Sequence, residues 1–183
     1  MYEKEKNLLG HYDSHLSYAS SLDDIKLEEI LEKLGTRILP GGSVLDLGCG
    51  DARLYGDLRK YRVTYTGVDY SEGRIKMAQT TYPDVALVCE DVWAYMSHSE
   101  TLFDTIACFE VLEHLEEPSK LVGLALSKLS AGGVMIGSVP INMPYVAHLQ
   151  VFETQEDVIE RLQPQLCVPE SGHFWCKWER AHI

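Results

Sequence analysis

From Val44 onward the chain repeats one rhythm, in which short apolar runs rich in β-branched residues alternate with longer polar stretches compatible with helix. The apolar runs predict strands over residues 44–47, 63–68, 85–89, 105–109 and 134–139. The stretches between them predict helices near 54–59, 72–80, 92–97 and 118–129. Strands that are apolar on both faces and alternate with helices imply a parallel sheet covered on both sides. Upstream, Leu27, Ile30, Leu31 and Leu34 fall at helical spacing behind Asp23 or Asp24 as a cap, and Gly35 follows as a stop. Downstream, Thr154 predicts the start of a short helix through Val158, Ile159 and Leu162 that ends before Pro164. A brief strand over 165–168 follows. After Gly172, Phe174, Cys176 and Trp178 alternate with Trp175, Lys177 and Glu179, a strand period that predicts an antiparallel hairpin at a sheet edge.

Composition narrows the function classes. The 183 residues suit a single domain spanning 1–183, with 1–21 as an N-terminal lid or docking segment, and 45% apolar residues suffice for a sizeable core. Sixteen basic against 28 acidic residues give a net charge of -12, which opposes nonspecific binding to nucleic acid or anionic membrane. No apolar run approaches the roughly 20 residues a membrane span needs, and the first six residues lack a signal-peptide core. A cytoplasmic protein without membrane partners is expected. Five cysteines with no C-x-x-C pair read as reduced thiols, without structural zinc or disulfides. Trp175 and Trp178 read as packing, and no nucleophilic Ser or Cys occupies a recognisable elbow.

The most informative segment is Val44-Leu45-Asp46-Leu47-Gly48-Cys49-Gly50-Asp51-Ala52-Arg53, where a buried strand runs through a glycine turn into a helix. Such a turn lets backbone amides approach a ligand closely. Asp69 closes the second strand, 23 residues after Asp46, in the position where a carboxylate accepts ribose hydroxyls, and Asp91 closes the third. The three acids thus reach the same carboxyl edge of the sheet. A glycine fingerprint also fits a dinucleotide oxidoreductase. Against that reading stand Asp46 two residues before Gly48, the seven-strand order and the lack of a second domain.

Asp46-Leu47-Gly48-Cys49-Gly50, Gly67-Val68-Asp69-Tyr70-Ser71 and Glu90-Asp91-Val92 resemble the cofactor-binding motifs of class I S-adenosylmethionine-dependent methyltransferases. The resemblance implies a Rossmann-like α/β fold: a seven-stranded, mostly parallel sheet with helices on both faces and an antiparallel last strand. It further implies S-adenosyl-L-methionine as cofactor. Gly48 and Gly50 would pass close to it, Asp69 would hold the ribose and Asp91 the adenine amino group. Val92 would give a backbone contact, and Asp46 would attract the sulfonium and ammonium charges. The family's third glycine is Ala52 here.

After the fourth strand comes Phe109-Glu110-Val111-Leu112-Glu113-His114-Leu115. If this segment turns helically, Glu110, Glu113 and His114 share one face and form the catalytic set, with His114 a general base. The string resembles a subset of the family that includes ubiquinone-pathway O-methyltransferases and small-RNA 2′-O-methyltransferases, some of which use these residues as metal ligands. No metal is assigned from the sequence. Glu110, Glu113 and His114 are the set that would hold one, with His148 and His173 competing for a fourth place. Tyr145 and His148, after the fifth strand, and Tyr12 in the first segment are the candidate acceptor contacts. The expected activity is methyl transfer to an O, N or C atom of a small molecule. The alternatives are a metal-assisted RNA 2′-O-methyltransferase and a noncatalytic cofactor-binding partner subunit.

Overall fold

The computed structural model describes residues 26–180. The proposed lid over 1–21, with Tyr12, lies outside them. One seven-stranded sheet carries the fold, in the order β3-β2-β1-β4-β5-β7-β6. Its strands are β1 (Ser43–Leu47), β2 (Thr64–Asp69), β3 (Ala86–Cys89), β4 (Phe103–Phe109), β5 (Leu129–Pro140), β6 (Leu166–Glu170) and β7 (His173–Glu179). The first five are mutually parallel, and β7 lies antiparallel between β5 and the edge strand β6. The expected hairpin therefore forms, through a two-residue turn in which Ser171 and Gly172 both have positive φ, at 50° and 79°.

The helices are α1 (Leu27–Lys33), α2 (Arg53–Leu58), α3 (Glu72–Thr81), α4 (Val92–His98), α5 (Pro118–Ser127) and α6 (Gln155–Leu162). Alternating side chains of the strands build two cores. Leu45, Leu47, Val139 and Trp178 meet Met96 of α4, Leu121 of α5 and Leu162 of α6. On the other face Val44, Tyr65, Ile136 and Trp175 meet Ile30 of α1, Leu58 of α2 and Ala78 of α3. Interior strands buried on both faces explain the near-continuous apolar runs. Across the β6–β7 hairpin the reduced thiols of Cys167 and Cys176 stand 3.6 Å apart.

Three expectations change in detail. The N-cap of α1 is Lys26, in place of Asp23 or Asp24, which lie outside the described residues. The helix expected to reach residue 129 stops at Ser127, because Leu129 already pairs with Phe103 and opens β5. The pairing shifts register between Phe103 and Thr105, where Gly132 at φ +77° and the side-chain-free Gly133, packed on the Phe103 carbonyl, accommodate a bulge. On α6, Val158 and Leu162 are buried while Ile159 is 47% exposed, so the apolar stripe is narrower than its spacing suggested.

Thr154 does cap α6, its hydroxyl accepting from the Asp157 amide at 3.2 Å while the Thr154 amide donates to Asp157 Oδ2 at 3.0 Å. Thr154→Ala should lower stability by about 1 kcal/mol in chemical denaturation, the usual magnitude for a lost cap.

Candidate active site

The carboxyl ends of β1, β2, β3 and β4 converge on one edge, and the glycine turn closes it. Gly48 and Cys49 both donate backbone amides to the Val68 carbonyl, at 2.8 and 3.0 Å, so the turn is tied to β2. Gly48 has φ +73° and Gly50 φ +54°. A Cβ on Gly48 would lie 2.3 Å from Val111 Cγ2, which shows how tightly the Glu-x-x-Glu-His string folds over the turn. Gly48→Ala should therefore destabilise the fold by about 1–2 kcal/mol from backbone strain, with the overlap adding to it, read as a lowered melting temperature. Ala52, at the family's third glycine position, is itself left-handed at φ 59°. A non-glycine residue there carries local strain on the order of 1 kcal/mol.

Asp69 organises this turn. Its Oδ2 accepts from the Gly50 amide at 2.9 Å and its Oδ1 from the Ser71 amide at 2.8 Å. Asp46 is buried beneath the turn and accepts from the Tyr65 hydroxyl at 2.6 Å. Burial pushes its pKa up to about 7, the Tyr65 hydrogen bond opposing the rise and the charge of Asp69 adding to it. Asp91 stands past the end of β3 and caps α4, its Oδ1 accepting from the amides of Trp93 at 2.9 Å and Ala94 at 3.2 Å. Val92 is the buried first residue of that helix.

The expected shared helical face of Glu110, Glu113 and His114 does not form. Glu110 adopts φ 55°, and only Leu112–His114 make a single 3-10 turn, so Glu110 leaves the turn in another direction. Its Oε1 accepts from the Ser138 hydroxyl of β5 at 2.7 Å, and its Oε2 lies 3.3 Å from His173 Nε2 of β7. That last contact becomes an ion pair when His173 is protonated, and it lacks the alignment of a hydrogen bond. His148 takes the place Glu110 vacates. The Glu113 carbonyl accepts from the amides of Leu149 at 2.8 Å and Gln150 at 2.9 Å, which stitches the loop after β5 onto the 3-10 turn. The rings of His114 and His148 are then 4.8 Å apart, and Tyr145 packs edge-on against His148 at 5.4 Å.

Donor atoms of Glu113, His114 and His148 all lie within 4.8 Å of one another. Glu113 is 1% exposed and its Oε2 has no hydrogen-bond partner. The backbone carbonyls of Ala147 and Met143 face Nδ1 of His114 at 2.9 Å and of His148 at 2.7 Å. A carbonyl only accepts, so Nδ1 carries the proton and Nε2 is the accepting nitrogen of each ring, as in many imidazoles that bind metals. This orphaned oxygen and paired imidazole set fits a divalent cation of the kind bound by nitrogen and oxygen ligands.

Burial, and then the charge of Glu110, push the Glu113 carboxyl well above the ordinary range. Burial depresses His114 to about 4, with the Ala147 carbonyl opposing the shift and His148 adding to it, so the imidazole is neutral at pH 7. His173 goes the other way. Burial would lower it, but Glu110 at Nε2 and the Ser171 carbonyl at Nδ1 raise it above its ordinary value. A raised histidine pKa contributes stability that is fully present below the unfolded pKa and is lost as pH rises through the folded one. The stability difference between the native chain and His173→Gln should accordingly be largest near pH 6 and shrink toward pH 9, measured by paired thermal melts.

Sequence reasoning named Glu113, His114 and His148, but it did not foresee Tyr65 or Ser138 as partners of the site. Tyr65 carried no signal beyond an aromatic in a strand, and Ser138 none beyond a lone polar residue in an apolar run. Among the described residues no helix is long and apolar enough to cross a membrane.

The model of the family described as "Methyltransferase domain" matches residues 18–181. A ubiquinone biosynthesis O-methyltransferase from Coxiella burnetii (strain RSA 331 / Henzerling II) is 30% identical over 163 residues, covering 87% of this chain and 65% of that protein. The chain thus spans just under two thirds of that relative's length. Among solved structures, an S-adenosylmethionine-dependent methyltransferase from Clostridium acetobutylicum ATCC 824 is similar with a TM-score of 0.67 at 15% identity, covering 94% of this chain and 97% of that one. Coclaurine N-methyltransferase bound to N-methylheliamine and SAH aligns with a TM-score of 0.55 at 23% identity, over 63% of this chain and 35% of that one.

Proposed function

The chain belongs to the methyltransferase-domain family, and on that premise we propose that it transfers a methyl group from S-adenosylmethionine to an oxygen of a small-molecule acceptor. The observation that carries this reading is the glycine turn closed on Asp69, with the Glu113–His114–His148 cluster at the same sheet edge. Asp69 holds the ribose hydroxyls, Asp91 accepts from the adenine amino group and Val92 offers a backbone contact. Gly48 and Gly50 keep the backbone flat against the cofactor, and Asp46 supplies negative charge. When bound, the cofactor provides an electrophilic methyl group on a positively charged sulfur. The protein's own work is then to orient the acceptor, exclude water and remove its proton.

Tyr145 and His148 orient the acceptor, and Nε2 of His114 receives its hydroxyl proton. Glu113 and Glu110 hold the histidine's surroundings, the latter through Ser138 and His173. Oxygen is favoured over nitrogen or carbon by the name of the Coxiella relative. A small acceptor is favoured over RNA by the net charge of -12.

A second reading is supported by the orphaned Glu113 Oε2. In it Glu113, His114 and His148 hold a divalent cation, which would polarise the acceptor oxygen and lower its pKa.

The test is calorimetric titration with S-adenosylmethionine and S-adenosylhomocysteine, followed by mass-spectrometric detection of methyl transfer to a panel of hydroxyl-bearing small molecules and RNA. Binding of both compounds with transfer to a small molecule is the expected result. Failure to bind either would remove the cofactor assignment. Binding without transfer to anything would favour the partner-subunit reading.

A further inference from the structure

Asp46 is paired in register with Gly67 of β2, and Tyr65, two residues earlier on the same face of that strand, reaches back to it. The Tyr65 hydroxyl donates to Asp46 Oδ2 at 2.6 Å, and both residues are 4% exposed. The phenol is clamped in place. A Cβ on Gly67 would meet Cys49 Sγ at 2.8 Å and Tyr65 Cε1 at 3.0 Å, so only glycine leaves room for the ring beneath the turn. On its other side the ring packs on Tyr55 of α2 at 5.1 Å, and Tyr55 meets Tyr82 edge-on at 5.2 Å. The aromatic stack therefore links α2, which starts at the glycine turn, to the carboxylate under that turn.

We infer that Tyr65 is a positioning residue, whose hydroxyl holds Asp46 as an oriented anion beneath the glycine turn and so makes the site favour a sulfonium cofactor over its neutral thioether product. The inference rests on the cofactor reading above. Both compounds carry the same ammonium and carboxylate, and they differ at sulfur, which loses its positive charge when the methyl group leaves. A fixed anion near the sulfur therefore acts on the difference between them. Among the described residues, four groups face Asp46: Tyr65 and Asp69 from β2, Cys49 from the turn and Cys108 from β4. Burial raises the Tyr65 phenol and both thiols, keeping these three uncharged, which leaves Asp69 as the one neighbouring charge among the described residues. Burial foremost, and then the charge of Asp69, disfavour the Asp46 anion, and the Tyr65 hydroxyl is the group that opposes them.

The experiment is calorimetric titration of the native chain, Tyr65→Phe and Asp46→Asn with S-adenosylmethionine and S-adenosylhomocysteine, each from pH 6 to pH 9. In the native chain, preference for the sulfonium compound should rise with pH through about 7, where Asp46 ionises. Tyr65→Phe should move that rise to higher pH. At pH 7 it should weaken S-adenosylmethionine by about tenfold, a loss of the size expected for one hydrogen bond to a charged group, with S-adenosylhomocysteine changing far less. Asp46→Asn, close in shape but never ionised, should give a low preference that does not vary with pH, and it answers the question even if Tyr65→Phe fails to fold. Equal weakening of both compounds by Tyr65→Phe, or a pH-dependent preference surviving in Asp46→Asn, would overturn the inference while leaving the cofactor reading intact. Failure of the native chain to bind either compound would overturn both.

Discussion

Replacing Asp69 by alanine should abolish measurable binding of S-adenosylmethionine. Two effects combine. The first is direct: two ribose hydroxyls lose a charged acceptor, and hydrogen bonds to charged groups contribute about 1.5–3 kcal/mol each. The corresponding loss of affinity is about a hundred- to ten-thousand-fold. The second is structural, because the Gly50 and Ser71 amides lose the oxygens they now donate to. Asp69 is only 7% exposed, so water replaces them poorly. The glycine turn then loses its bond from Gly50 to β2, keeping those from Gly48 and Cys49 to the Val68 carbonyl. Asp69→Asn separates the effects: its amide keeps the shape and can satisfy one of the two backbone donors. It should melt nearer to the native chain than the alanine variant, yet bind cofactor almost as weakly. Native-like affinity in Asp69→Ala would undo the reading of this edge as a cofactor site.

Removal of the His114 imidazole should cost catalysis and spare cofactor affinity. A positioned base contributes about 10²–10⁴ to the rate, so His114→Ala should lower kcat by that order while Kd for S-adenosylmethionine stays within a few-fold. The pH profile carries a further signature. With the His114 pKa depressed to about 4, its accepting form predominates throughout the neutral range. At saturating cofactor the native rate should fall on the acid side only as pH drops toward 4, not near 6.5. His148→Ala and chelation distinguish the two readings of the cluster. If Glu113, His114 and His148 hold a cation, His148→Ala and a chelator should each approach the loss seen in His114→Ala, and added metal should restore the chelated protein. If His114 acts as a base without a cation, chelation should change nothing, and His148→Ala should raise KM for the acceptor more than it lowers kcat.

The parts that could be read from the sequence are those whose signals are local. Glycine at 48 and 50, between an apolar strand and a helix, leaves few other conformations open, and both residues do have positive φ. The rhythm of apolar runs predicted the five parallel strands because a sheet covered on both faces favours apolar residues along its strands, and the alternation after Gly172 predicted the hairpin that completes the seven. Thr154 could be identified as a cap because its partner, Asp157, is three residues away. The Glu-x-x-Glu-His string was harder. Helical spacing would have put its three polar side chains together, but left-handed backbone at Glu110 sends that carboxylate to Ser138 and His173, 28 and 63 residues away. No spacing rule covers contacts of that separation. His148 was a candidate from its place in the loop. What brings it to His114 is the pair of amides at 149 and 150 bonded to the Glu113 carbonyl.

Sequence periodicity and turn chemistry were thus enough to order the strands and helices, and to bring Asp46, Asp69 and Asp91 to one sheet edge. Both act over a few residues, where backbone sterics and burial leave little choice. The identity of the carboxylates' distant partners depended on the folded chain: Tyr65 for Asp46, the Gly50 amide for Asp69, His173 and Ser138 for Glu110. Those pairings follow from strand register and from the space left by residues without side chains, such as Gly67 beneath the turn. Three-dimensional packing therefore sets which acids are held as anions and which are pushed toward their neutral form, since burial and neighbouring charge act through space.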